Sequence, residues 1–256
     1  KMYEKLRTDL LPLVVRLDAA IKSMWIPAFK DGQNAVVLDA KLTSVKWSEL
    51  LPPSTKPLPL PEVALVSGVS DAALLKQAGG EFFDIVQKTA DVLNTHFPEA
   101  VPKTEIPLPK LREFPEGTIY FYSPPTEAGV DPQIAPNAGL SKDTLALSYA
   151  PKFSLRLLQN KPLEIKEGPL ARANQPLAVA WHVDVAGFTD ALGVWADYGF
   201  DNDSEEGVDA AEVKHARERM QGSLEFLKCL RGISSVSYIE GGALVTHSEW
   251  NVVDQK

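Results

Sequence analysis

A short apolar strand that runs straight into a helix opening on a small or polar residue recurs along this chain of 256 residues. Val63-Ala64-Leu65-Val66-Ser67-Gly68-Val69 leads into Ser70-Asp71-Ala72-Ala73-Leu74-Leu75. Leu145-Ala146-Leu147-Ser148-Tyr149 leads into Ala150-Pro151-Lys152-Phe153-Ser154-Leu155, and Val179-Ala180-Trp181-His182-Val183-Asp184-Val185 into Ala186-Gly187-Phe188-Thr189-Asp190-Ala191-Leu192. A period-2 or fully apolar run followed at once by a 3.6-residue pattern places a strand in a sheet and a helix against that sheet. Such alternation would allow a parallel sheet. The half-polar strands and the closing pattern Ile233–Ile239, Glu240-Gly241-Gly242, Ala243–Val253, which reads as a hairpin, favour antiparallel pairing. The expected fold is therefore α+β, with a mixed, largely antiparallel sheet and helices packed on one face. It is expected as one unit over 1–256, or as related strand–helix lobes over 1–115 and 116–256 joined by proline-rich connectors. The similarity of 63–75 to 179–192 would fit an internal duplication.

The remaining elements follow from the same patterns. Leu6, Leu10, Val14, Leu17, Ile21, Trp25 and Phe29 mark a helix over residues 1–30, with Pro12 tolerated if the helix starts near Thr8. Ala35–Ala40 reads as a short strand. Pro52, Pro53, Pro57, Pro59 and Pro61 make 50–62 an extended, solvated connector. A helix over 70–95, N-capped by Ser70, carries Leu74, Ala78, Phe82, Ile85, Thr89 and Val92 on one face. Gly79-Gly80 inside it predicts a kink or close packing. A second proline-rich stretch runs from Phe97 to Pro115, Thr118–Ser123 reads as a strand, and 124–137 as a loop. Val213, Ala216, Met220, Leu224 and Leu227 mark the last helix, which is expected to hold Cys229 as a small buried hydrophobe.

Charge narrows the partners. A net charge of −8 argues against nucleic acid, whose binding is carried by Lys and Arg on phosphates, and against an anionic membrane surface. No apolar run approaches the ~18 residues of a membrane span. A protein partner or self-association is expected instead. The single cysteine forbids an intramolecular disulfide and suits a reducing compartment, although an exported chain with a good core needs no bridge either. The chain opens at Lys1 without an initiator methionine, as expected of a mature or trimmed chain or of the C-terminal part of a longer one.

Two patterns carry candidate chemistry. His182 and Asp184 share a strand face at i and i+2, and His247 and Glu249 repeat that spacing. On neighbouring strands the four would converge into a metal-dependent or acid/base hydrolytic site. The plainer reading is a wet sheet face, with Trp181, Val183, Leu244, Trp250 and Val252 pointing inward on the other side. The second pattern is Asp201, Asp203, Glu205, Asp209 and Glu212, oxygens at positions 1, 3, 5, 9 and 12 of a calcium-loop spacing. Its glycine, Gly207, comes one residue late, so the plainer reading is an acidic loop leading a helix. Phosphate loops, dinucleotide fingerprints, nucleophile elbows and paired-cysteine spacings are absent from the sequence. No cofactor is expected beyond this calcium candidate, and no residue is assigned to catalysis.

Several segments together resemble a family of uncharacterised exported bacterial proteins of planctomycete type. They are Asn34-Ala-Val-Val-Leu-Asp-Ala-Lys41 with Trp47, Val66-Ser-Gly-Val-Ser-Asp-Ala72, Gly139-Leu-Ser-Lys142, Gly168-Pro-Leu170 and Gly241-Gly-Ala-Leu-Val-Thr-His-Ser-Glu249. The resemblance covers most of the chain. It implies an extracytoplasmic location, periplasmic or secreted, with a cytoplasmic one as the alternative, and a strand–helix plan; it brings no catalytic residues. The leading expectation is a non-catalytic exported protein that binds a protein partner or small ligand, or forms part of an envelope assembly. If the 201–212 segment binds calcium, added calcium raises the melting temperature and chelator reverses the rise; a melting curve that neither moves removes the calcium site.

Overall fold

The computed structural model describes residues 2–30, 32–103, 105–159, 161, 168–202 and 210–253. The chain divides into two compact units, 1–39 with 62–160, and 40–61 with 161–256. The division cuts the first two strands and falls after residue 160. Residues 115 and 116, the lobe boundary suggested by the sequence, form the turn of a hairpin inside the first unit. The fold is α+β, and its paired strands run antiparallel.

In the first unit, α1 (Met2–Ala20) continues through a π-turn (Ile21–Trp25) into α2 (Ile26–Ala28). The helix starts well before Thr8, and Pro12 lies in its interior on the exposed side. The π-turn has a local cause. Pro27 has no N–H to continue the α-helical ladder, and the Ile26 N–H reaches back five residues to the Ile21 carbonyl. The buried face is centred on Leu13 and Ala20, rotated from the expected stripe, so that Val14 and Ile21 are exposed.

β1 (Asn34–Ser44) and β2 (Leu58–Gly68) open the sheet, and α3 (Ala72–His96) follows. The N-cap of α3 is Asp71, one residue after the expected Ser70; its carboxylate accepts the Leu74 N–H at 2.9 Å. α3 packs on α1. Arg16 donates to Glu81 at 2.6 Å and to Asp84 at 2.8 Å, and His96 pairs with Asp9 at 2.8 Å. The lysine of Lys88, and then Arg16, hold the Asp84 carboxyl below its ordinary range. What Asp84 adds to stability is thus present above the usual carboxylate pKa and is lost as pH falls through the depressed one.

β3 (Lys110–Phe114), β4 (Gly117–Phe121), β5 (Asn137–Leu140) and β6 (Thr144–Ser148) then form a meander that returns beside β2, in the order β1-β2-β6-β5-β4-β3. α4 (Pro151–Leu158) lies on one face of it, over Ile119 and Ala146, which are almost fully buried. Gly139 admits that helix: a Cβ there would come within 2.9 Å of Ile119 and 3.1 Å of Leu158. At one end of the other face, Leu140 and Leu145 pack with Ala28, Val69 and Leu75. Farther along, Leu65 and Leu147 pair on that same face and stay exposed, with Leu111 exposed on the outer strand.

The proline-rich 50–62 segment is only partly a connector. Leu58–Glu62 belongs to β2, and Glu62 is fully buried. Pro59 and Pro61 fit because alternate residues address the same edge of a strand, so their missing N–H groups fall together on one side. The Pro59 carbonyl on that side accepts the Trp195 indole N–H, while the Leu58 carbonyl on the other side accepts that of Trp47.

In the second unit, α5 (Gly168–Ala171) precedes β7 (Val179–Asp184), α6 (Val185–Asn202), α7 (Ala210–Leu227), β8 (Leu230–Glu240) and β9 (Ala243–Val252). The strands form a sheet in the order β7-β8-β9. Gly241 and Gly242, at φ 58° and 82°, supply the left-handed pair that a two-residue hairpin turn requires. α7 ends before Cys229, which is half-buried in the turn leading to β8 rather than inside the helix. Most of the 201–212 segment, residues 203–209, lies outside the described residues.

Gly79 and Gly80 interrupt neither α3 nor its packing, and a Cβ at either would meet open space. Gly79→Ala and Gly80→Ala are each expected to stabilise the protein, by up to about 1 kcal/mol. Gly117→Ala drives a Cβ to 2.4 Å from the Leu140 carbonyl oxygen and is expected to destabilise strongly. Thermal melting of the three variants checks both directions.

Candidate functional site

The antiparallel register of the second unit sorts its side chains onto two faces. His182 stands opposite Ser234, and Ser234 opposite Glu249, so the three lie in one row across β7, β8 and β9. His182 Nδ1 and Ser234 Oγ are 2.7 Å apart. Glu249 forms an ion pair with Arg172, just beyond α5, and lies 3.2 Å from His247 Nε2. Gly168, at the start of α5, sits over Ser234; a Cβ there would be 3.5 Å from the serine side chain.

Asp184 is used differently. Its carboxylate accepts the Gly187 N–H at 2.9 Å and so caps the start of α6. The proposed base–carboxylate pairing of His182 with Asp184 is replaced by a histidine–serine hydrogen bond. The four candidate residues form two separate pairings and a cap. Among the described residues, no three His, Cys, Asp or Glu side chains are grouped to hold a metal ion. Asp201, the first residue of the calcium-loop spacing, accepts a hydrogen bond from Arg217 at 2.5 Å.

Sequence reasoning missed Ser234 and Arg172. The signal for Ser234 was present in Ser234-Ser235-Val236-Ser237, small hydroxyls in a strand otherwise rich in large apolar residues.

The opposite face carries Val179, Trp181 and Val183 on β7, Ile233 and Ile239 on β8, and Leu244, Trp250 and Val252 on β9. The residues expected to point inward are exposed, Trp181 to 45% and Trp250 to 67%. The alternation is as the sequence implies, but the apolar side is uncovered. Beside the tryptophans, hydroxyls on β8 and β9 satisfy one another, Ser235 with Ser248 at 2.8 Å and Ser237 with Thr246 at 2.9 Å.

The first unit holds a partly buried ionic cluster around Glu62. Arg156 on α4 donates to Glu62 at 2.7 Å and to Asp39 at 3.3 Å, with its guanidinium over the Phe153 ring. Burial, and then the Glu62 carboxylate, push the Tyr149 phenol up. A shallow cavity of about 600 Å³ in the same unit is bordered by two amines, Lys76 and Lys142, and three carboxylates, Glu113, Glu116 and Asp143.

Compared with protein-family models, curated proteins and solved structures, the chain matches none. No helix among the described residues is long and apolar enough to cross a membrane.

Removing one partner of a buried ion pair strands the other charge. With Glu62 fully buried but the arginine about a third exposed, Arg156→Met is expected to cost about 1–3 kcal/mol, between exposed and fully buried pairs. Chemical denaturation of this variant checks it.

Proposed function

We propose that this is a non-catalytic exported protein that works by binding, with a protein partner, a small ligand or an envelope assembly docking on the open sheet face of the second unit. The observation that carries this reading is the apolar side of β7-β8-β9. Val179, Trp181, Val183, Ile239, Leu244, Trp250 and Val252 are each between 45% and 67% exposed there. Isolated proteins rarely expose contiguous apolar patches beyond a few hundred Å², and larger ones mark interaction sites. Aromatic residues are the side chains most enriched where interfaces carry their energy. The extracytoplasmic placement is supported by the resemblance to exported bacterial proteins.

A second reading, a metal-dependent or acid/base hydrolase using His182, Asp184, His247 and Glu249, draws on the 3.2 Å contact between His247 and Glu249. It requires a turnover that His247→Ala abolishes.

A docking face is dispensable for folding. Trp250→Ser is expected to leave stability within about 0.5 kcal/mol of the parent, where truncating a buried tryptophan would cost about 3–5 kcal/mol. Photo-crosslinking side chains at 181 and 250 are expected to give discrete adducts in the native cell, and the same group at exposed Lys5 none. Loss of stability in Trp250→Ser, or no adducts from either position, overturns the proposal.

A further inference from the structure

The partner of this open sheet can be named more closely from β9, which has no strand on its outer side among the described residues. Long edge strands normally carry charges or prolines that block pairing with another chain. β3, at an edge of the other sheet, carries Lys110, Arg112 and Glu113 within five residues, and β1 carries Asp39 and Lys41. β9 runs ten residues, Ala-Leu-Val-Thr-His-Ser-Glu-Trp-Asn-Val, with no proline and Glu249 as its one carboxylate or basic side chain other than His247.

The direction of its backbone groups follows from two contacts. The Val253 N–H donates to the Cys229 carbonyl at 2.8 Å, and the His247 carbonyl accepts from Ser235 Oγ at 3.3 Å, both toward β8. Odd-numbered residues of β9 therefore bond inward. Leu244, Thr246, Ser248, Trp250 and Val252 turn their N–H and C=O groups to the open edge. On β7, the other edge of this sheet, Val179, Trp181 and Val183 stand opposite the odd-numbered residues of β8 and bond inward, which leaves Ala180, His182 and Asp184 outward, a shorter run.

We propose that the protein forms a twofold dimer by antiparallel pairing of β9 with β9 of a second copy, centred on Ser248. This rests on the reading of the sheet as a binding surface and doubles that surface. Only this register pairs all five outward residues. Leu244 then meets Val252 of the second copy, Thr246 meets Trp250, and Ser248 meets itself. On the opposite face His247 stands across from Glu249 of the second copy, twice. Sliding two residues one way puts Glu249 against Glu249, and the other way His247 against His247, each leaving an outward residue without a partner. Directly opposite side chains share a face, so the apolar sides of both copies join into one surface on a sheet of six strands.

Light scattering after size exclusion, across a dilution series of the 256-residue chain, is expected to give twice the 28.0 kDa of one chain at high concentration. Ser248→Pro removes an outward N–H that serves no strand within the monomer. It is expected to give a single-chain mass with unchanged circular dichroism. His247→Glu, which sets a carboxylate across from Glu249 of the second copy at both symmetry-related positions, is expected to weaken the dimer at least ~10-fold. The swap His247→Glu with Glu249→His is expected to restore it. Amide exchange should show Leu244, Thr246, Ser248, Trp250 and Val252 protected only in the dimer. A single-chain mass at the highest concentration overturns the proposal, as does a dimer that Ser248→Pro and His247→Glu leave intact. Either result leaves crosslinking from 181 and 250 as the separate test of the binding surface.

Discussion

An antiparallel strand sends alternate side chains to opposite sides of its sheet, and each side must be covered by protein or face water. That constraint governs both sheets here. In the first unit α4 covers Ile119 and Ala146, and the far side is closed at one end only, by the helices around Ala28, Val69 and Leu75. In the second unit α5 lies on the side of Ser234 and Glu249, and the tryptophan-bearing side stays open. The candidate binding surface is thus a consequence of which faces the helices reach.

The polar groups of the second unit are arranged around the same constraint. Small hydroxyls on the open face bond to each other across β8 and β9, so the strand interior is satisfied without water or partner. The covered face uses larger groups, with His182 on Ser234 and Glu249 between Arg172 and His247. Asp184 is consumed by capping α6. In the first unit the comparable device is a fully buried Glu62 tied to Arg156, which joins β2 to α4.

Much of the fold was legible along the chain, for local reasons. α3, α4, α6 and α7 follow 3.6-residue patterns, and the last hairpin is punctuated by Gly241-Gly242, whose positive φ values no larger residue adopts readily. β3 and β5 were not legible. β3 sits in a proline-rich stretch with alternating charges, and β5 is four residues including a glycine that only the approach of α4 explains. Leu58–Glu62 was read as a solvated connector because its prolines veto a central strand; they do not veto a strand segment that lies beyond the end of β6, which pairs only Ala64–Gly68. For the candidate site, the residue spacings placed His182 with Asp184 and His247 with Glu249 correctly on shared strand faces. The partners came from neighbouring strands, and cross-strand register is invisible in a single sequence.

By itself the sequence determined the strand–helix alternation, the antiparallel closing hairpin, the net negative charge, and the division of β7 and β9 into an apolar and a polar side. These depend on residue periods, turn chemistry and net charge, all of which are properties of the chain read in order. Only the tertiary structure decided which of those sides is covered, that Trp181 and Trp250 lie on the uncovered one, that Ser234 rather than Asp184 meets His182, and that β9 is an edge strand among the described residues. The physical reason is that coverage and register are relations between segments far apart in the chain, set by where α4 and α5 come to rest.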